Sequence, residues 1–165
     1  MLFRSNDNAL SCVSIRMFNV IGALKPQLRD LSDAHLIPAT LNRLSRGLPA
    51  LLFGANFATP DGSAIRDYIH VTDVVRIINL LEDYLLSGGE GSKSHFAINV
   101  GSEKGTSVIE FFEQLKLVLR QSFEVITLEA RSGDPAKVVS NNDTLRRLLG
   151  FSPKQTFEEM VLTCI

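Results

Sequence analysis

The residues of this sequence best suited to chemistry are gathered in Asp61-Gly-Ser-Ala-Ile-Arg-Asp-Tyr-Ile-His-Val-Thr-Asp73. Asp61-Gly62 is a turn signal. Ile65 to Val71 interleaves β-branched and aromatic residues with Arg66, Asp67 and His70, as a half-buried strand does, and Thr72 and Asp73 are placed to cap an apolar helix. A strand that carries Arg66 to its mouth and hands over to a capped helix suits an anion, because a guanidinium pairs with phosphate in a fixed fork. The structural alternative is that an Arg-Asp pair on a strand forms a solvated salt bridge. Cys12 and Cys164 stand near opposite ends, without metal-knuckle, redox or disulfide spacing, and read as reduced thiols of a cytoplasmic protein. His35, His70 and His95 are scattered, so no metal site is expected.

The elements that must position Arg66 follow from periodicity. Cys12 to Phe18 alternates Val13, Ile15 and Met17 with Ser14 and Arg16, a strand pattern that stops at Asn19. Residues 23–34 show neither period and read as a loop. A helix is expected from about Pro38, with Leu41, Leu44 and Leu48 on one side, and then a short strand from Ala50 to Phe53. The helix from Val74 to Leu86 is expected to turn Val75, Ile78, Leu81 and Leu85 inward and to stop at Gly88-Gly89, before a polar connection from Glu90 to Ser94. Phe96 to Val100 reads as a buried strand. Ser107 and Glu110 form a capping box ahead of a stripe of Val108, Phe111, Phe112, Leu115 and Leu119. Phe123 to Leu128 reads as a short strand and Arg131 to Pro135 as a turn. A short helix from Asn142 or Asp143 to Gly150 and a last helix capped by Thr156 and Glu159 complete the pattern.

Alternating strands and helices argue for an α/β fold. Only 12–18 and 96–100 have the makings of central parallel strands, and a parallel sheet needs several, so part of the sheet is expected to be missing and these two strands to have unpaired edges that favour self-association. The 165 residues are 45% apolar and 21% charged with a net charge of −1, which is normal for one globular domain and leaves no basic footprint for nucleic acid or an anionic membrane. The apolar run at Val74 to Leu86 is interrupted by charges and falls short of the roughly 20 residues that span a bilayer. The polar-rich opening Met1 to Asn8 does not read as a signal peptide.

Several stretches together resemble the C-terminal half of the UDP-glucose 4-epimerase family of extended short-chain dehydrogenases/reductases. They are Arg16-Met-Phe-Asn-Val-Ile-Gly-Ala23, His35-Leu-Ile-Pro38, Leu52-Phe-Gly54, Thr59-Pro-Asp-Gly-Ser-Ala-Ile-Arg-Asp-Tyr-Ile-His-Val71, Asn99-Val-Gly101 and Arg131-Ser-Gly-Asp134. The resemblance runs from about residue 12 to the end. It implies that residues 1–165 are the UDP-sugar-binding portion, with an incomplete Rossmann sheet and without the N-terminal NAD-binding Rossmann part. It also implies site roles. Asn19 matches a diphosphate contact and Phe18 the sugar and nicotinamide side; His35 and Leu36 match a helix start at the diphosphate; Leu51 and Phe53 match the strand edge at the uracil. Arg66 and Arg131 match the two arginines on the phosphates, and Asp134 the carboxylate on the ribose hydroxyls. Asp67, Tyr68 and His70 are assigned to structure, with Tyr68 as a wall of the site, and His95 to the surface. Met17 departs from the tyrosine usual at its position. Val138 falls where the family limits space around the sugar 2-substituent, which suggests room for N-acetyl sugars.

The family's reaction transfers hydride from C4 of UDP-glucose or UDP-galactose to NAD and returns it to the opposite face. Its base is the Tyr of Tyr-x-x-x-Lys, and its NAD rests on a Gly-x-x-Gly-x-x-Gly loop. These 165 residues contain neither motif. No catalytic residue is therefore assigned, the chain alone is expected to be inactive and to hold no NAD, and its partners are expected to be the UDP-sugars, the NAD-binding half and a second copy of itself. Two rival readings are a non-enzymatic sugar-nucleotide or assembly module and part of a nucleotide-sugar dehydratase or decarboxylase; the Thr59-Pro-Asp-Gly62 lead-in argues against the latter.

Overall fold

The computed structural model describes residues 12–88 and 95–165. The predicted polar connection at 90–94 lies outside the described residues. Strand β1 (Cys12–Met17) pairs in parallel with β5 (His95–Val100), Cys12 opposite His95 and Met17 opposite Val100. Phe18 extends this ladder by donating its N–H to the carbonyl of Val100 at 3.0 Å. At Asn19 the chain changes partner: β2 (Asn19–Ile21) lies parallel to β4 (Ile65–His70), with Asn19 opposite Tyr68. The strand predicted over 12–18 ends at Met17, and Asn19 begins a further strand where one pairing gives way to another.

β4 is the hub. Its first half also pairs with β6 (Gly105–Ser107, antiparallel) and β8 (Lys137–Val138, parallel). Neither of these strands, nor β2, was expected, because two or three residues are too few to show a period. β3 (Ala50–Phe53) and β7 (Val125–Leu128) make a separate parallel pair. Among the described residues β1 and β5 each pair on one side only, so the expected partial sheet is what the fold contains.

Helix α2 (Val71–Leu86) follows β4 without a break and corrects the sequence reading twice. His70, rather than Thr72 or Asp73, is the N-cap, and its ring accepts the Thr72 N–H. The buried stripe is Val74, Ile77 and Leu81, while Val75 and Ile78 are exposed. The cause is Asp73, which is buried and accepts from the Lys154 N–H at 3.1 Å and from Arg76 at 3.3 Å. A carboxylate fixed inward at the helix start turns the residues one, four and eight positions later toward the core with it. That core joins α2 to β1 and β5 through Ile98, Val100, Leu145 and Phe151.

The second core lies under α1 (Leu36–Ser45), β3, α3 (Val108–Leu119) and α5 (Phe157–Leu162). The stripe on α3 is as expected: Phe111, Phe112 and Leu115 are buried and Val108 and Leu119 pack beside them. Phe111 meets Phe157 edge to face with centroids 5.7 Å apart, and Tyr68 meets Phe157 at 5.8 Å. Both predicted capping boxes form, Ser107 with Glu110 and Thr156 with Glu159. α4 (Asp143–Leu149) starts after Asn142 and ends at Gly150. α1 starts two residues earlier than expected, because Pro38 lies within the first turn, where no intrahelical N–H partner is required. Among the described residues no helix is long and apolar enough to cross a membrane, and no group of three or more His, Cys, Asp or Glu could hold a metal.

Candidate functional site

A cavity of about 800 Å³ opens where the β1–β2 junction, the start of α1, the end of β3, the middle of β4 and the turn after β7 converge. Its volume is in the range of small-molecule sites. Phe18 and Asn19 come from the strand junction, His35 and Leu36 from α1, Leu51 and Phe53 from β3, Arg66 from β4, and Arg131 and Asp134 from the turn; all nine line it. Val138 is level with Arg66 on β8 but is not part of the lining. Tyr68 is a wall, as expected, and burial pushes its phenol up to about 12, so its hydroxyl is neutral.

Arg66 and Asp67 do not pair with each other, contrary to the salt-bridge alternative. Successive strand residues point to opposite faces. Arg66 donates to the carbonyls of Ile65 (2.8 Å) and Pro135 (2.9 Å), and its other terminal nitrogen pairs with Asp134. Asp67 is fully buried on the other side. One of its oxygens accepts from the Ser102 N–H and hydroxyl, both at 2.6 Å; the other accepts from the Glu103 and Ser140 N–H groups, each at 3.0 Å, and from the Ser140 hydroxyl at 2.7 Å. The carbonyl of Asp67 accepts from the Asn19 amide at 3.0 Å. One residue thus ties the turn after β5, the end of β8 and a cavity-lining asparagine to β4.

Arg131 is held differently. Its guanidinium carbon lies 4.2 Å from the centroid of the Phe53 ring, and it makes no ion pair among the described residues. The turn that delivers it closes with the Asp134 N–H on the Arg131 carbonyl at 3.1 Å and has Gly133 at φ +79°, a conformation that favours glycine. His35 is the N-cap of α1, but its side chain does not cap; its Nδ1 is 2.7 Å from Asp30. The Ser32 N–H, followed by His35, holds the Asp30 carboxyl down to about 2. With no acid in its first turn, α1 presents its positive end to the cavity beside the two arginines.

Sequence reasoning missed three further arginines in the lining, Arg29, Arg43 and Arg46. Leu36, Ala39, Arg43 and Arg46 follow helical spacing, and that signal could have revealed two of them; Arg29 lies in an aperiodic loop that carries none. Five arginines against three aspartates give the cavity a positive balance in a chain of net charge −1. The arrangement can neutralise a diphosphate, accept from hydroxyls and shelter a flat apolar group along β3.

The model of the NAD dependent epimerase/dehydratase family matches residues 3–101, more than half of the chain. The chain belongs to this family. It is 35% identical over 149 residues to a UDP-glucose 4-epimerase of Rhizobium meliloti, covering 88% of this chain and 44% of that protein. Among solved structures it resembles a UDP-glucose 4-epimerase from Stenotrophomonas maltophila with bound NAD and formylated UDP-arabinopyranose, with a TM-score of 0.82, 25% identity, and coverage of 92% of this chain and 46% of that one. It also resembles that of Thermotoga maritima with UDP-glucose, with a TM-score of 0.74, 29% identity, and coverage of 94% and 45%. The chain spans about half the length of the curated relatives it matches. Its fold is α/β, that of the extended short-chain dehydrogenases/reductases, with a partial sheet.

Neither direct strand-to-helix junction among the described residues offers a cradle for the pyrophosphate of the family's dinucleotide. A pyrophosphate needs a glycine turn and free N–H groups where a strand enters a helix. Here the two direct strand-to-helix junctions carry acids in their first turns, Asp73 on α2 and Glu110 on α3.

Proposed function

We propose that this chain is the nucleotide-sugar-binding part of an NAD-dependent UDP-glucose 4-epimerase, an isomerase of galactose and carbohydrate metabolism. The observation that carries the reading is the cavity at the Asn19 switch point. Arg66, Arg131 and the positive end of α1 converge there with the apolar edge of β3. The diphosphate of UDP-glucose or UDP-galactose meets the arginines, the uracil lies along Leu51 and Phe53, and the sugar lies toward Phe18 and Asn19. Asp134 has two duties in this reading, steadying Arg66 and accepting from the ribose hydroxyls. The N-acetyl expectation attached to Val138 is not part of it, because Val138 stands off the lining.

Among the described residues the chain supplies no residue for C4 chemistry and no cradle for NAD. It is inactive by itself, and a companion NAD-binding part extends the sheet beside β1 or β5; without one, those edges favour self-association. Two measurements test this. Calorimetry with UDP is expected to show binding that Arg66→Ala weakens by about ten-fold or more, as for loss of one charge-assisted contact; a folded chain that ignores UDP contradicts the reading. An epimerase assay of the chain with NAD is expected to show no turnover, and measurable turnover refutes its inactivity.

A further inference from the structure

The two arginines matched to the phosphates are held by opposite devices. Arg66 spends its terminal nitrogens on two carbonyls and a carboxylate. Arg131 has no side-chain hydrogen bond or ion pair among the described residues, yet its guanidinium carbon lies over the Phe53 ring, 4.2 Å from the centroid. The backbone builds this stacking. Phe53 is opposite Leu128 in the β3–β7 register, and the Gly54 N–H donates to the Leu128 carbonyl at 2.9 Å, so Arg131, three residues beyond β7, falls above Phe53. Gly54 has φ +84°, and a Cβ there would meet Phe57 at 2.5 Å and Ala130 at 2.9 Å. Only glycine lets the strand turn away this close to residue 130.

We propose that Phe53 is a positioning residue for Arg131. Its ring face fixes the guanidinium plane and leaves the donors of the fork for the diphosphate of the nucleotide sugar. An arginine on a flexible stem gives up rotamer freedom when it binds a phosphate, and one already stacked on a ring has given up much of it beforehand. Phe53 thereby acts on the phosphates through Arg131, beyond the uracil contact that the family resemblance implies for it. The inference rests on the nucleotide-sugar reading of this cavity.

The test compares UDP with uridine, which lacks the phosphates. Phe53→Leu is expected to weaken uridine only by its lost uracil contact and UDP by about five-fold beyond that, from a cation–π contact of about 1 kcal/mol. Phe53→Tyr, which keeps the ring face, is expected to preserve the ratio of UDP to uridine affinity. Phe53→Leu added to Arg131→Gln is expected to cost UDP no more than Phe53→Leu costs uridine. In the free chain, NMR is expected to show the Arg131 side-chain protons shifted upfield by the ring, with the shift lost in Phe53→Leu. An equal loss for uridine and UDP, additive single effects, or an unshifted Arg131 would overturn the proposal while leaving the nucleotide site intact. Failure of the folded native chain to bind UDP would overturn the nucleotide-sugar reading and this proposal with it.

Discussion

Replacing Asp67 by Asn changes one atom and is expected to be among the most damaging conservative substitutions in the chain. The carboxylate is fully buried and accepts five hydrogen bonds, two on one oxygen and three on the other. Asparagine must place an NH₂ where one oxygen was, facing at least one backbone N–H that cannot turn away. The serine hydroxyls can rotate and accept instead, which recovers part of the loss. Hydrogen bonds to a charged group contribute about 1.5–3 kcal/mol each, and an orphaned buried N–H costs about 1–3 kcal/mol. The expected destabilisation is therefore about 3 kcal/mol. In urea, with a slope of about 1–3 kcal/mol/M, the midpoint should fall by about 1–3 M at unchanged slope. Because the Asp67 carbonyl holds Asn19, UDP affinity should fall in the remaining folded protein as well. A loss below about 1 kcal/mol would refute the claim that this carboxylate binds the three segments together.

The other expectations are simpler. Phe111→Ala empties the centre of the second core, where Phe111 meets Tyr68, Phe112 and Phe157, and should cost about 3–5 kcal/mol in the same titration. Ser107→Ala removes both the α3 cap and the hydroxyl donated to Asp61, and should cost about 1–2 kcal/mol, with Ser107→Thr recovering most of it. His70 accepts at Nδ1 from the Thr72 N–H, so its Nε2 carries the proton given to Thr163, and burial holds its pKa below the ordinary value. The unfolded chain then takes up a proton that the folded chain resists. His70 contributes fully above about pH 6.5, and its contribution falls as pH drops through the folded value. The urea midpoint should be lower at pH 5.5 than at 7.5, and His70→Asn, which keeps a capping side chain, should shrink that difference; an unchanged difference would exclude His70 as the cause.

Features written in side-chain chemistry at short spacing were legible in the sequence. Both capping boxes, the α3 stripe and the Arg131-to-Asp134 turn are of this kind, since each depends on residues within a few positions of one another. What was hidden depends on partners distant in the chain. β2, β6 and β8 exist because β4 offers edges to them, and their own two or three residues have no pattern. The inner face of α2 was misread because Asp73, polar by type, is drawn inward by the Lys154 N–H 81 positions later. The nine residues named from the motif resemblance line one cavity, but the resemblance could not show that Arg66 is committed to Asp134, 68 positions away, while Arg131 is left to Phe53.

The central claim is that this cavity holds the nucleotide sugar, and the most direct test is a backbone and side-chain NMR titration of the chain with UDP-glucose. The account predicts saturable shifts concentrated at Asn19, Leu36, Phe53, Arg66 and Arg131, with Arg146 and Lys116 on the outer helices unmoved. Saturable shifts centred elsewhere, or none in a folded chain at millimolar ligand, would contradict it.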